Sequence, residues 1–152
     1  MRIVPFCKGL LTFGRIGGIV VGNDGAMFVY DADQTVGLIR MYAATGKYLR
    51  TVGAKGGGPG EYGQLNGFTL AHNGDLLLWD GAGARVNRYA ADGGFKSAFR
   101  IPVNGMFTAN GLHVATNGTI SLKHRDRPPR DRERSSYAYS WIHSLRFARR
   151  TA

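Results

Sequence analysis

The sequence has little cysteine and little proline: one cysteine, Cys7, and 5 prolines among 152 residues. A single cysteine excludes an intrachain disulfide, so the chain is not a small fold held by its own cross-links. No apolar run approaches the roughly 20 residues of a spanning helix, which predicts no membrane span. Pro5, Lys8 and Gly9 interrupt the apolar stretch after Arg2, which is not typical of a secretory signal peptide.

Glycine, by contrast, is abundant, with 23 residues placed between short apolar runs. This arrangement is typical of a turn-rich β protein. Residues 1–122 contain no helical pattern, because β-branched and aromatic residues dominate the apolar runs. Residues 138–148 fit helical and strand spacing alike, so the sequence leaves their structure open.

Positive charge is concentrated near the C-terminus. Residues 1–122 contain 11 Lys/Arg and 7 Asp/Glu, whereas residues 123–152 contain 9 and 3. Mixed signs and Pro128–Pro129 favour a solvated linker, or the start of another repeat, for this tail. A basic–aromatic surface anchor and nucleic-acid binding are the less favoured interpretations.

Two segments of the chain repeat. Residues 24–31 read DGAMFVYD and residues 73–80 read NGDLLLWD, so each has a turn pair, an apolar strand and an aspartate. The offset is 49 residues, and a third unit begins 44 residues later at Asn117-Gly118. Periods of this length are typical of β-propeller blades. The loop after Asp31 is two residues longer than the loop after Asp80.

Each unit predicts several strands. The fully apolar runs indicate strands covered on both faces, and we expect them to be the inner strands of their blades. Polar interruptions in the following runs indicate middle strands, and a third set completes each unit as outer strands. The predicted inner strands are Met27–Tyr30 and Leu76–Trp79. The predicted middle strands are Leu38–Tyr42 and Arg85–Tyr89, and the predicted outer strands are Lys47–Val52 and Phe95–Ile101.

The segment Gly53–Tyr62 reads GAKGGGPGEY, and with the repeat it resembles the six-bladed β-propeller proteins related to NHL repeats. Arg85–Tyr89 fits the Arg-Ile/Val-x-x-Tyr strand of that family well, and Leu38–Tyr42 fits it loosely. The resemblance covers about residues 20–122. The second unit departs from it at Val103–Phe107, and the third replaces the strand-ending aspartate with His124.

The predicted fold class is all-β: an incomplete β-propeller segment of antiparallel four-stranded blades, about two and a half of them, with a basic C-terminal tail. The repeats are expected over residues 1–122, and residues 123–152 form the tail or a truncated blade. The units lie near residues 20–67, 68–111 and 112–122 onward. Because the family has six blades, we expect a fragment of a longer protein, with self-association or an edge-capped stub as alternatives.

Metal chemistry has two weak candidates, His72 and His113. Each comes before a repeat turn, at points that look comparable in successive units, and the resemblance includes lyases that use channel histidines with a metal. No histidine forms a closely spaced pair with another or with Cys7. Ordinary turn-flanking histidines are therefore favoured, and no catalytic residue, metal or cofactor is predicted.

The loop and strand-end acids have structural explanations. Gly58–Gly63 matches G-x-G-x-x-G, but no helix start follows it, which favours an inter-blade loop in which Glu61 binds backbone N–H groups. Asp31 and Asp80 are expected to cap turns, because a calcium site needs more oxygen ligands than the Asp31–Asp33 region offers.

Arg40, Arg85 and Arg88 recur on the middle strands and are the candidate binding residues. The favoured function is a non-catalytic module that binds a protein or a small-molecule ligand. The alternatives are an NHL-like lyase or hydrolase that lacks part of its site, and nucleic-acid binding through the basic tail. The sequence does not predict localisation, although propeller relatives are often exported.

Overall fold

The structure is a computed structural model that describes residues 12–33, 37–101, 109–125 and 139–146. The described residues form strands and turns, and none of them forms a helix able to cross a membrane. In chain order the strands are β1 (Ile16–Val21), β2 (Met27–Asp31), β3 (Leu38–Tyr42), β4 (Tyr48–Val52), β5 (Ala54–Lys55), β6 (Glu61–Tyr62), β7 (Leu65–Leu70), β8 (Leu76–Asp80), β9 (Arg85–Tyr89), β10 (Phe95–Arg100), β11 (Ala109–Val114), β12 (Thr119–Arg125) and β13 (Tyr139–Arg146).

Three antiparallel sheets follow one another along the chain. Strands β1–β4 form blade 1 and β7–β10 form blade 2, each with its strands side by side in chain order. Strands β11–β13 form the three-stranded blade 3, and a short parallel pair, β5–β6, lies in the segment between blades 1 and 2. The prediction of an all-β fold with antiparallel four-stranded blades is confirmed.

The repeated turn pairs join the first and second strands of each blade. Gly25, Gly74 and Gly118 have φ values of 79°, 81° and 79°, which glycine adopts without strain. The residue before each glycine accepts a hydrogen bond from the backbone two positions on, as in Asn73 Oδ1 with the Asp75 N–H at 3.2 Å. These turns therefore have the local chemistry that the sequence predicts.

The prediction that the two fully apolar runs are the inner strands of their blades is wrong. Met27–Tyr30 and Leu76–Trp79 lie in the second strands of their sheets, because β1 and β7 precede them. Strand β7 contacts both β1 and β11, so the first strands of successive blades meet one another. Second strands are apolar throughout because they have a strand on each side and, in β8, a blade on each face. The middle and outer strands follow in the predicted order.

Two apolar clusters hold neighbouring blades together. One joins blades 1 and 2 around Phe28, Ile39 and Leu78, and the other joins blades 2 and 3 around Trp79 and Ile120. All five side chains are at most 2% exposed. Burial of this kind is the main favourable contribution to folding, so each blade depends on its neighbour for stability.

In blade 1, the face of β1 that carries Ile19 and Val21 is not fully covered by any described residue. Ile19 and Val21 on β1 are 53% and 59% exposed. At the matching positions of β7, Phe68 and Leu70 pack against the cluster between blades 1 and 2. The same strand face is thus partly buried in blade 2 and open in blade 1.

The region predicted as a tail contributes β13 to blade 3, where it pairs with β12. The ambiguity over residues 138–148 is therefore resolved as a strand over Tyr139–Arg146. Residues 126–138 and 147–152, which contain most of the charged residues of this region, lie outside the described residues, as does the predicted departure at 103–107. The domain bounds stay a prediction.

Candidate functional site

The strand-ending aspartates bind the segment that leads into the first strand of the same blade. Asp80 Oδ1 accepts from the N–H groups of Gly63 and Gln64 at 3.2 and 3.0 Å. Asp31 accepts from Gly14 and Arg15 in the same way, at 3.4 and 3.3 Å. Asp31 Oδ1 also accepts from the Asp33 N–H at 3.3 Å, so it caps the turn after its strand as predicted. Asp80 instead binds the segment before β7 and Arg85, and each aspartate fixes the start of its blade.

Asp31 is buried, yet its carboxyl stays ionised. Burial opposes the charge, but the N–H groups of Arg15, Asp33 and Gly14, together with the nearby Arg40 guanidinium, outweigh it and hold the pKa of Asp31 below its ordinary value. The carboxylate therefore acts as a fixed acceptor for the segment that carries Arg15.

The glycine-rich segment Gly53–Tyr62 is an inter-blade loop, as predicted, and β7 follows it instead of a helix. Glu61 Oε2 accepts from the Gly58 N–H at 2.8 Å, which confirms the predicted role of Glu61. The loop is also held by Tyr89, whose hydroxyl donates to the Gly60 carbonyl at 3.1 Å. The loop conformation is thus fixed from both sides.

Tyr62 connects this loop to blade 1. Its hydroxyl donates to the Val52 carbonyl at 3.1 Å and accepts from the Ile39 N–H at 3.0 Å. Gly53 has a φ of 71°, and a Cβ there would lie 2.7 Å from the Tyr62 ring. Only glycine fits where the chain leaves β4, so the loop geometry depends on this residue.

The predicted binding arginines serve three separate carboxylates. Arg40 pairs with Asp31 at 3.1 Å, and Arg85 pairs with Asp80 at 3.2 Å. Arg88 pairs with Asp75. Each guanidinium group is thus bound to a different carboxylate, and the role of these arginines in binding stays a prediction.

The two candidate histidines occupy different positions in their units. His72 lies exposed in the β7–β8 turn, whereas His113 lies on β11 opposite Ser121. In the strand register, His113 of blade 3 corresponds to Thr69 of blade 2 and not to His72. The expectation that the two histidines occupy comparable positions is therefore wrong. Within the described ranges, no three His, Cys, Asp or Glu side chains lie close enough to hold a metal ion.

A cleft of about 300 Å³ opens between blades 1 and 2, at the end where β2 finishes and β7 begins. Its wall includes Ala32, Asp33 and Gly37, which belong to the loop that the sequence shows to be two residues longer than the matching loop of blade 2. The Gly37 N–H donates to the Asp33 carbonyl at 2.7 Å and closes this loop. The cleft is lined by Arg15, Tyr30, Ala32, Asp33, Gly37, Lys55, Tyr62, Gly63, Gln64 and Leu65.

The cleft has a positive side. Arg15 lines it and donates from Nη2 to the Ala32 carbonyl at 3.3 Å, and Lys55 lines it from β5. Burial raises the pKa of the Tyr30 phenol, although the nearby Arg15 opposes this. The hydroxyl is therefore protonated at neutral pH and can donate a hydrogen bond.

Sequence reasoning did not identify Arg15 and Lys55. Arg15 lies before the first repeat that the sequence shows. It corresponds to Gln64, because the backbone N–H of each residue donates to a strand-ending aspartate, and only the structure reveals this. The longer loop after Asp31 was the one sequence signal of the cleft. A smaller cleft of about 270 Å³, lined in part by His72, lies between the turns at the opposite end of the blades.

Comparison with known proteins places the chain among β-propellers. The model of one family, DUF5128, described as 6-bladed beta-propeller, matches residues 11–119. The comparison with curated proteins gave no match. Among solved structures, a Bacteroides fragilis protein described as exported is 20% identical, with a TM-score of 0.64, over 93% of this chain and 40% of that one.

Two enzymes share the fold at lower identity. A catalytically inactive virginiamycin B lyase from Staphylococcus aureus, solved with quinupristin, is 18% identical, with a TM-score of 0.52, over 70% of this chain and 33% of the lyase. Hydrazine synthase from Kuenenia stuttgartiensis is 12% identical, with a TM-score of 0.53, over 79% of this chain and 33% of the enzyme. The chain thus spans two fifths or less of these relatives, and they share its fold alone.

Proposed function

Since the chain belongs to the DUF5128 family of 6-bladed beta-propellers, we propose that it is part of a propeller that binds a small ligand without catalysis. The observation that carries this proposal is the cleft between blades 1 and 2. Its volume is at the lower end of the range for small-molecule sites, and it is an open cleft with a mainly polar lining, which suits a small polar ligand.

Binding is favoured over catalysis by the chemistry of the cleft wall. Its lining residues include one carboxylate, Asp33, and no histidine, cysteine or serine. This lining therefore supplies no Ser, Cys or His nucleophile, and the proposal assigns Asp33, Tyr30 and Lys55 to contacts with the ligand. His72, one of the two histidines considered for a lyase-like site, lies at the other end of β7 from this cleft.

In this proposal, further blades of a longer protein complete a propeller ring that includes the blades described above. Ile19 and Val21 are more than half exposed where the matching residues of blade 2 are packed. A preceding blade would cover them as blade 1 covers Phe68. The protein described as exported, of which this chain spans 40%, is consistent with additional blades.

A cleft-filling substitution tests the ligand site. Ala32→Trp places an indole in the cleft wall, and Ala44→Trp places one in the exposed β3–β4 turn as a control. A set of small carboxylates, amides, sugars and nucleosides is tested for its effect on thermal unfolding. We expect compounds that raise the Tm of the unaltered chain and of A44W but leave A32W unchanged. Compounds that stabilise all three alike, or none of them, would contradict the proposal.

A further inference from the structure

We infer that the ligand of this cleft is a small monocarboxylate, whose carboxylate is bound by Arg15 and Lys55. This inference rests on the proposed function and adds the chemical class of the ligand. It comes from the distribution of charged side chains around the cleft and from how the backbone fixes the two cationic residues.

Arg15 and Lys55 take part in none of the ion pairs found among the described residues. Among the described residues, the cations that pair with a carboxylate within 4.0 Å are Arg40, Arg85, Arg88 and Lys96. Neither Arg15 nor Lys55 forms such a pair in this part of the chain. Two cationic groups that line one cleft without a carboxylate partner are suited to an anionic ligand.

Arg15 is positioned by two bonds from different atoms. Its backbone N–H donates to Asp31 Oδ1, and its Nη2 donates to the Ala32 carbonyl. A guanidinium has five N–H donors in a planar fork that matches a carboxylate. The bond to Ala32 uses one nitrogen, so the group is oriented and keeps donors for a ligand.

Lys55 is positioned by the inter-blade loop. It pairs with Tyr62 in the short parallel β5–β6 ladder, and Tyr62 is in turn bonded to blade 1 through its hydroxyl. The partly exposed Tyr30 ring and Leu65 line the cleft beside the cations and give an apolar surface for the body of the ligand. Ligand recognition would thus use residues held by both blades.

Asp33 favours a ligand with one negative charge. Its carboxylate lines the same cleft as Arg15 and Lys55, so the three charged side chains sum to one positive charge. A phosphate monoester carries between one and two negative charges near neutral pH, and its additional charge would face Asp33. A monocarboxylate matches the cleft without that repulsion.

The test uses the full chain and three probes of similar size: 4-fluorobenzoate, its neutral isostere 4-fluorobenzamide, and 4-fluorophenyl phosphate. Binding is measured by fluorine NMR titration. We expect 4-fluorobenzoate to bind more tightly than either of the other probes. Its affinity should fall as NaCl is raised, because salt screens the exposed cations.

Two substitutions and two matched controls locate the anion-binding groups. Arg15→Gln and Lys55→Gln should each weaken 4-fluorobenzoate binding about tenfold, the scale of one charge-assisted contact. Arg50→Gln and Lys47→Gln should change it less than twofold. Arg50 donates to the Asp92 carbonyl at 3.3 Å, as Arg15 does to Ala32, and Lys47 is an exposed cation of the β3–β4 turn.

The outcomes separate the two levels of the proposal. If A32W abolishes binding of all three probes but R15Q and K55Q change none, the cleft binds ligands and the carboxylate inference is overturned. Tighter binding of the phosphate than of 4-fluorobenzoate would also overturn it. If 4-fluorobenzoate binds A32W as it binds the unaltered chain, or binds neither, the inference fails, and the Tm comparison of A32W with A44W then decides the proposed function separately.

Discussion

Three tyrosines provide a graded test of the forces that fix the cleft wall. Tyr62 makes two hydrogen bonds through its buried hydroxyl, to the Val52 carbonyl and from the Ile39 N–H. Tyr89 makes one, to the Gly60 carbonyl. The Tyr42 hydroxyl is also buried, but it has no hydrogen-bond partner within the described part of the chain. Substitution by phenylalanine removes each hydroxyl and keeps each ring.

The expected losses follow from the number of bonds. A hydrogen bond contributes about 1 kcal/mol net, and a buried group left without a partner costs about 1–3 kcal/mol. Tyr62→Phe should therefore lower the free energy of unfolding by about 2–3 kcal/mol, and Tyr89→Phe by about 1 kcal/mol. Tyr42→Phe should be neutral or slightly stabilising, because it removes a buried hydroxyl that has no bond to lose.

Urea denaturation followed by tryptophan fluorescence measures the series. Of the two tryptophans in the chain, Trp79 lies between blades 2 and 3, so the change in its emission reports the loss of blade packing. The unfolding midpoint should fall in the order Tyr42→Phe, Tyr89→Phe, Tyr62→Phe, with an unchanged slope. Equal losses for all three variants would refute the reasoning, because ring burial and not the hydroxyl bonds would then be what holds the loop.

Three further predictions concern the same loop and its anchors. Burial raises the pKa of Tyr89 to about 12 and also raises that of Tyr62, so the free energy of unfolding should be constant up to about pH 10 and fall from there towards pH 12; a flat profile in urea titrations would contradict this. Gly53→Ala should cost about 3 kcal/mol, because φ is 71° and the new Cβ would lie 2.7 Å from a ring, whereas Gly46→Ala, with φ of 82° and open space, should cost about 1 kcal/mol; similar Tm losses would refute the steric argument. Asp80→Asn should cost about 3 kcal/mol by breaking a buried ion pair, and a Tm change below about 3 °C would show that the pair is dispensable.

The repeat and its turns could be predicted because they are local. Asn73-Gly74 and the apolar run after it contain the information for a turn and a covered strand within a few residues. The Gly53–Tyr62 loop was recognised for the same reason. By contrast, the sequence did not place β1 and β7 as first strands, since the paired glycines Gly17 and Gly18 interrupt β1 although its other residues are Ile and Val.

The cleft could not be predicted because its residues come from four separate segments. Arg15, Tyr30, Lys55 and Gln64 meet only when blade 2 packs against blade 1. The arginines recur at regular spacing in the sequence, yet each one pairs with a carboxylate of the fold. Sequence spacing shows which residues repeat, and the register between blades decides which of them face a ligand.

The most direct test of the central claim is a map of backbone amide chemical shifts during titration of the full chain with 4-fluorobenzoate. A small monocarboxylate bound between blades 1 and 2 should give its largest shifts at Arg15, Ala32, Lys55 and Gln64, with little change in the turn over residues 43–47. Saturating shifts centred on any other part of the chain, or no saturating shifts at all, would contradict the account.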